Sequence, residues 1–123
     1  MTKIMRYLFG VEEAQVITTR KFDGEHWYTA VDICNLLGIE NHSQAVHRQR
    51  ETDNLTLEDS EWRKESVFNG TSKRKMLMVN DSGALKLIFQ GTSAVACDIQ
   101  ERARKTSIDL IPASWPLGLL GME

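Results

Sequence analysis

Nowhere does the sequence hold a run of about 18 apolar residues, so no segment is long enough for a membrane-spanning helix. The basic start, Met1 to Arg6, is not followed by the apolar stretch of a signal peptide, and the protein is expected in the cytoplasm, with no membrane among its partners. Cysteine is scarce. Cys34 and Cys97 lie far apart, each in an apolar helical pattern, and are expected to be buried, reduced packing residues rather than a disulfide. They have no histidine pair beside them, and His26, His42 and His47 lack metal-ligand spacing, which excludes a recognisable zinc site. Also missing are a glycine-rich phosphate loop, His-Glu-x-x-His, Gly-x-Ser-x-Gly and a paired cysteine motif. The expectation is a protein that is not an enzyme and needs no cofactor. No internal repeat or low-complexity segment is found.

What is present is enough chain, 123 residues, for one domain with a modest core and no second full domain. The formal net charge of −2 argues mildly against a generic nucleic-acid binder, since such domains are often strongly basic. The distribution matters more than the sum. Acids gather at Glu51, Asp53, Glu58, Asp59, Glu61 and Glu65. Bases gather at His47, Arg48 and Arg50, at Lys73-Arg74-Lys75, and at Arg102, Arg104 and Lys105. That pattern is compatible with a molecule that has one basic face.

Read along the chain, Phe9 to Thr19 suggests a strand, on the β-branched Val16, Ile17 and Thr18. Asp23-Gly24 is a hairpin turn, and His26-Trp27-Tyr28 the return strand. Thr29 with Asp32 reads as a capping box opening a helix over Ala30 to Leu37, which Gly38 ends. Ser43 is expected to cap a second helix from Gln44 to about Gln49, so that two short helices and a glycine-containing turn form a helix-turn-helix candidate. An acidic loop with about one helical turn near Leu57 to Trp62 leads to strands at Glu65–Phe68 and Lys75–Val79, joined through Asn69-Gly70. Asn80 or Asp81 caps the next helix and Gly91 stops it; Thr92-Ser93 caps a last helix to about Ser107. The fold class is α+β: a small domain of short antiparallel β-hairpins and four or so short helices.

Two stretches carry a family likeness. Asp23 to Asn41 offers a turn, the aromatic pair Trp27-Tyr28, Asp32 in a short helix, Leu37-Gly38 and then Asn41. Val79 to Ile88 holds Asn80-Asp81-Ser82-Gly83 at a helix start. In that order they resemble the Bro-N domain, the N-terminal module of phage and prophage antirepressors. The likeness covers about Tyr7 to Pro112, giving a domain over residues 1–112 and an apolar tail over 113–123. It is weakest from Ala96 to Pro112, where the family's aromatic pair is replaced by Ile99 and Ala103. The resemblance implies a bacterial host cell and a transcription regulator that binds double-stranded DNA, or one that captures a phage repressor protein.

Physical reading of the same residues separates core from surface. Trp27, Tyr28, Val31, Leu36 and Leu37 are expected in the core. Asp32 and Asp81 are better read as helix caps than as catalytic groups. In the second helix Ser43, Gln44, His47 and Arg48, with Arg50 just after, bring hydroxyl, amide, imidazole and guanidinium groups to one short polar segment; Gln44, His47 and Arg48 share a face. Such groups bind phosphates and read base edges. From the local pattern an ordinary solvated face is an equally good account, and the family resemblance favours DNA. Lys73, Arg74 and Lys75 would lie at a hairpin tip, as a wing on DNA or as a charged turn that keeps the chain soluble. Arg102, Arg104 and Lys105 suit the end of a helix dipole. The leucines of the tail, Leu117, Leu119 and Leu120, would be awkward in water and suggest docking on the body or a homo-oligomer contact.

Overall fold

The computed structural model describes residues 1–49, 55–68 and 70–105. Arg50, Asn69 and the apolar tail lie outside the described residues. Within them the chain is α+β, as expected, with one four-stranded antiparallel sheet in the order β1-β2-β4-β3. The strands are β1 (Thr19–Phe22), β2 (Glu25–Thr29), β3 (Trp62–Phe68) and β4 (Lys73–Val79). Six α-helices accompany it: α1 (Lys3–Phe9), α2 (Val11–Ala14), α3 (Ala30–Leu37), α4 (His42–His47), α5 (Asp81–Gln90) and α6 (Ala94–Lys105). A single 3-10 turn, Asp59–Glu61, precedes β3.

The first departure from the sequence reading is at the start. Phe9 to Thr19 is not a strand: it holds the end of α1, all of α2 and a turn, and the strand begins only at Thr19. Ile4, Met5, Leu8 and Phe9 are buried at helical spacing, and the Thr2 hydroxyl caps α1 by accepting from the Met5 N–H. Burial of this stripe against α6 outweighs the local preference of the β-branched residues, of which Val16 is exposed.

Both hairpins form. The turn of the first is Asp23-Gly24, with Asp23 at φ 53° and Gly24 at φ 79°, the left-handed pair that a two-residue hairpin turn requires. The second is longer than expected at both ends, so Lys73, Arg74 and Lys75 are the opening residues of β4 rather than the tip. β2 pairs with β4 only through Tyr28↔Val79 and Thr29↔Met78. Most of the β3–β4 ribbon therefore runs on past the end of β2.

The main core lies on one side of the sheet, under α1, α3, α5 and α6. It contains Met5, Leu8, Phe9, Tyr28, Ile33, Leu37, Val79, Leu85, Leu87, Ile88 and Ile99. Cys34 is buried here and apolar surroundings push its thiol up to about 12. Cys97 contradicts its expected burial and is exposed. Val31 and Leu36 are half-buried rather than core, whereas Trp27, Tyr28 and Leu37 are buried. Ile99 and Ala103, which replace the aromatic pair, are both buried in α6. Trp27 belongs to a second, smaller cluster on the opposite side of the sheet, with Val67, Met78, Phe22 and Met76.

The Asn80-Asp81-Ser82-Gly83 stretch is the node of the fold. Asn80 caps α5 by accepting from the Gly83 N–H at 2.9 Å, and its amide donates to the Glu25 carboxylate and the Ser60 carbonyl. Asp81 accepts from the Tyr28 hydroxyl at 2.5 Å and from the Thr2 hydroxyl at 2.8 Å. Ser82 donates to the buried Glu61 carboxylate. A Cβ on Gly83 would stand 2.6 Å from the Glu61 carbonyl oxygen, so only glycine lets α5 approach the turn before β3. Thr2, β2 and the turn before β3, three segments distant in sequence, are thus held by four consecutive residues. The roles are structural, but Asp81 is not the cap it was expected to be: Asn80 caps α5, and Asp81, the first residue of the helix, accepts instead from Thr2 and Tyr28.

Candidate nucleic-acid interface

Helix α3 positions α4. Gly38 ends α3 at φ 75°, where its N–H bonds to the Asn35 carbonyl and the Ile39 N–H to that of Cys34. The Ser93 hydroxyl donates to the Leu37 carbonyl, tying this turn to the start of α6. The expected Thr29–Asp32 capping box does not form. Instead, the Thr29 hydroxyl donates to Asp32 at 2.5 Å, and the same carboxylate oxygen accepts the Thr18 N–H at 2.8 Å. Asp32 thereby ties α3 to the strand before it.

Asn41, not Ser43, caps α4, accepting the Gln44 N–H at 2.9 Å. An earlier cap starts the helix one residue before Ser43 and leaves the Ser43 side chain exposed. The helix is also shorter than expected. It ends at His47, and Arg48 is extended. Ala45 and Val46 face the core, while Ser43, Gln44, His47 and Arg48 are all exposed. Gln44 and Arg48 line one cleft of about 330 Å³ with Asn41 and Gln90. The Gln90 amide donates to the carbonyls of Ala45 and Leu55, and so fixes α4 against α5. His47 leans the other way, its ring edge-on to Trp62 with centroids 4.6 Å apart.

That contact links α4 to the ribbon. Side chains alternate along a strand and cross-strand partners share a face. Trp62, Leu77 and Val79 pack on the main core, so Lys64, Ser66, Phe68, Lys73 and Lys75 point to that same side. All five are exposed, on the part of the ribbon that runs past β2. The strip from Trp62 to Phe68 is about 20 Å long at ~3.3 Å per residue. It begins beside His47 and ends with Lys73 opposite Phe68. Arg74 points to the other side, paired with Val67.

The sequence-predicted residues thus divide. Ser43, Gln44, His47 and Arg48 are all exposed on and beside α4. The single face expected for Gln44, His47 and Arg48 is split, because Arg48 leaves the helix to line a cleft with Gln44 while His47 turns to Trp62. Lys73 and Lys75 belong to a strip on the same side of the sheet. Arg74 does not join them, and Arg50 lies outside the described residues. Lys64 joins the strip and was not anticipated. Its place depends on pairing with Leu77, although alternation from Trp62 in the stretch Trp62-Arg63-Lys64-Glu65-Ser66 was a usable signal.

Residues 15–104 match the model of the BRO family, N-terminal domain. The chain belongs to that family. The match falls inside the Tyr7–Pro112 span of the likeness and takes in both motifs, the helix pair and the whole sheet. Bro-N membership supports a regulatory domain of the phage antirepressor type. Comparison with curated proteins found no match. Comparison with solved structures found none. Among the described residues no helix is long and apolar enough to cross a membrane.

Proposed function

We propose that this Bro-N domain binds double-stranded DNA, and that it does so through α4 and the lysine strip of the ribbon. The observation that carries the reading is their placement on one side of the sheet, joined through His47 and Trp62. Lys64, Lys73, Lys75 and Arg48 would position the domain on phosphates. Ser43, Gln44 and His47 would meet base edges, with α3 and α4 acting as a helix-turn-helix pair. A strip of about 20 Å matches roughly six base-pair steps at ~3.4 Å each. The near-neutral total charge is no obstacle, since Arg48, Lys73 and Lys75 lie outside the acidic stretch and Lys64, within it, points to the opposite side of the sheet from Glu65. Such a domain would be a binding module in the cytoplasm of a bacterial host rather than an enzyme.

Random-site selection with the purified protein at two salt concentrations tests this directly. A recurring duplex motif that survives the higher salt is the expected outcome, and a Gln44→Ala variant should relax the motif at one or two positions. A protein that selects no duplex at either salt would favour the other account, a module that captures a repressor protein.

A further inference from the structure

The side of the sheet that faces away from the main core carries its own charge pattern. Arg63 lies over the rings of Phe22, 4.8 Å from the centroid, and Trp27, at 5.3 Å, and pairs with the Glu65 carboxylate. That guanidinium is neutralised and stacked. Arg20 and Arg74 are different. Both are exposed, and neither meets a carboxylate among the described residues. Arg20 reaches across from β1 to donate to the Phe68 carbonyl at 3.1 Å, although β2 and β4 intervene in strand order. The two hairpins therefore curl toward each other and enclose a cleft of about 550 Å³ between the start of β1 and the far part of the ribbon. Ile17, Val67, Phe68 and Met76 give it apolar walls, and Arg20 and Arg74 both line it. Among the described residues, no acidic one does.

We propose that this cleft takes an extended acidic segment of a partner protein, with carboxylates on Arg20 and Arg74 and an aliphatic side chain against Val67 and Met76. The volume falls in the ordinary range for a binding cleft, roughly 300–1,000 Å³. Planar guanidinium groups suit carboxylates through paired hydrogen bonds, and their two unneutralised charges set the sign of the occupant. Phe68 is the one ring among the described lining residues, and the other apolar side chains, Ile17, Val67 and Met76, offer no flat face, which favours a peptide over a nucleic acid, whose bases would seek several rings to stack on. Val67, Arg74 and Met76 point to the opposite side of the ribbon from Lys73 and Lys75. The site stands independently of the DNA reading.

The test is selection from a displayed library of random dodecamer peptides on the full chain, followed by titration of the enriched peptides by fluorescence anisotropy. Enrichment of peptides combining Asp or Glu with aliphatic residues is expected. Arg74→Ala should weaken them by roughly fivefold, and the Arg20→Ala, Arg74→Ala double variant by about tenfold or more. Lys73→Ala should leave them unchanged. The Arg74 side chain makes no hydrogen bond or ion pair among the described residues, so its truncation should not disturb folding, and a thermal melt checks this. The proposal is overturned if no acid enrichment appears, or if enriched peptides bind the double variant as tightly. It is equally overturned if single-stranded DNA displaces them, or if the protein's own dimerisation is what the double variant abolishes.

Discussion

Lys86→Met should remove about 3 kcal/mol of stability, and the loss should shrink in acid. Lys86 and Glu61 are among the few buried charged residues, 7% and 5% exposed. The ammonium donates to Glu61 at 2.6 Å and to the Thr56 carbonyl at 3.0 Å. Glu61 also accepts the Glu58 N–H and the Ser82 hydroxyl. Breaking a buried pair costs about 3–5 kcal/mol because the surviving charge is left uncompensated. Two neutral donors remain on Glu61, which places this case at the lower end. Methionine fills most of the lysine volume, so the cavity contribution is small. For a chain of this size about 3 kcal/mol is a fall of roughly 10–15 °C in Tm. Adding Glu61→Gln to the variant should recover much of the loss.

The pH dependence supplies the sharper check. Burial alone pushes the Glu61 carboxyl up, but the Glu58 N–H, Lys86 and Ser82 outweigh it and hold it below the usual carboxylate range. A folded-state value lowered in this way gives stability that is present above the ordinary carboxylate value, about 4.5, and lost as pH falls through the lowered one. Without the ammonium the burial effect should prevail, so the variant should gain relative to wild type as Glu61 takes up a proton. Urea denaturation of both proteins from neutral pH into the acid range measures the gap. A loss under about 1 kcal/mol, or a gap that stays constant into acid, would refute the assignment of this pair as the buried tie between the turn before β3 and α5.

Two further outcomes follow from the core. Gly83→Ala should cost roughly 1–3 kcal/mol in chemical denaturation, because its Cβ meets the Glu61 carbonyl at 2.6 Å and backbone must move; a neutral substitution would show that α5 does not approach so closely. Under native conditions a thiol reagent should modify exposed Cys97 readily. Cys34, buried with its thiol pushed up to about 12, should react only on unfolding, so mass spectrometry should find a single labelled site in the native protein.

Much of the fold is legible in the residues wherever local chemistry and burial agree. Asp23-Gly24, Gly38, Asn80 and Ser93 each satisfy a backbone requirement within a few positions of themselves, and all act where the sequence places them. Reading failed where a distant partner decides. Val16-Ile17-Thr18 looks like a strand until the Ile4, Met5, Leu8 and Phe9 stripe finds α6. Asn41 and Ser43 are both good caps, and nothing within the segment chooses between them. Asn80-Asp81-Ser82-Gly83 is visible as a helix start, but Tyr28, Thr2 and Glu61 come to it only in three dimensions. For the candidate interface, residue types were readable in Gln44, His47, Arg48, Lys73 and Lys75, while sidedness was not. Strand register sends Arg74 away from its two neighbours and brings Lys64 in.

That sidedness is the account's central claim, and the salt dependence of duplex binding measures it most directly. Each phosphate contact contributes about 0.9 to the slope of log affinity against log salt. The Lys73→Ala, Lys75→Ala double variant should therefore lose about 1.8 from the slope, while Arg74→Ala, one residue from each, should leave it unchanged. Equal losses from all three positions, or a lower slope for Arg74→Ala alone, would contradict it.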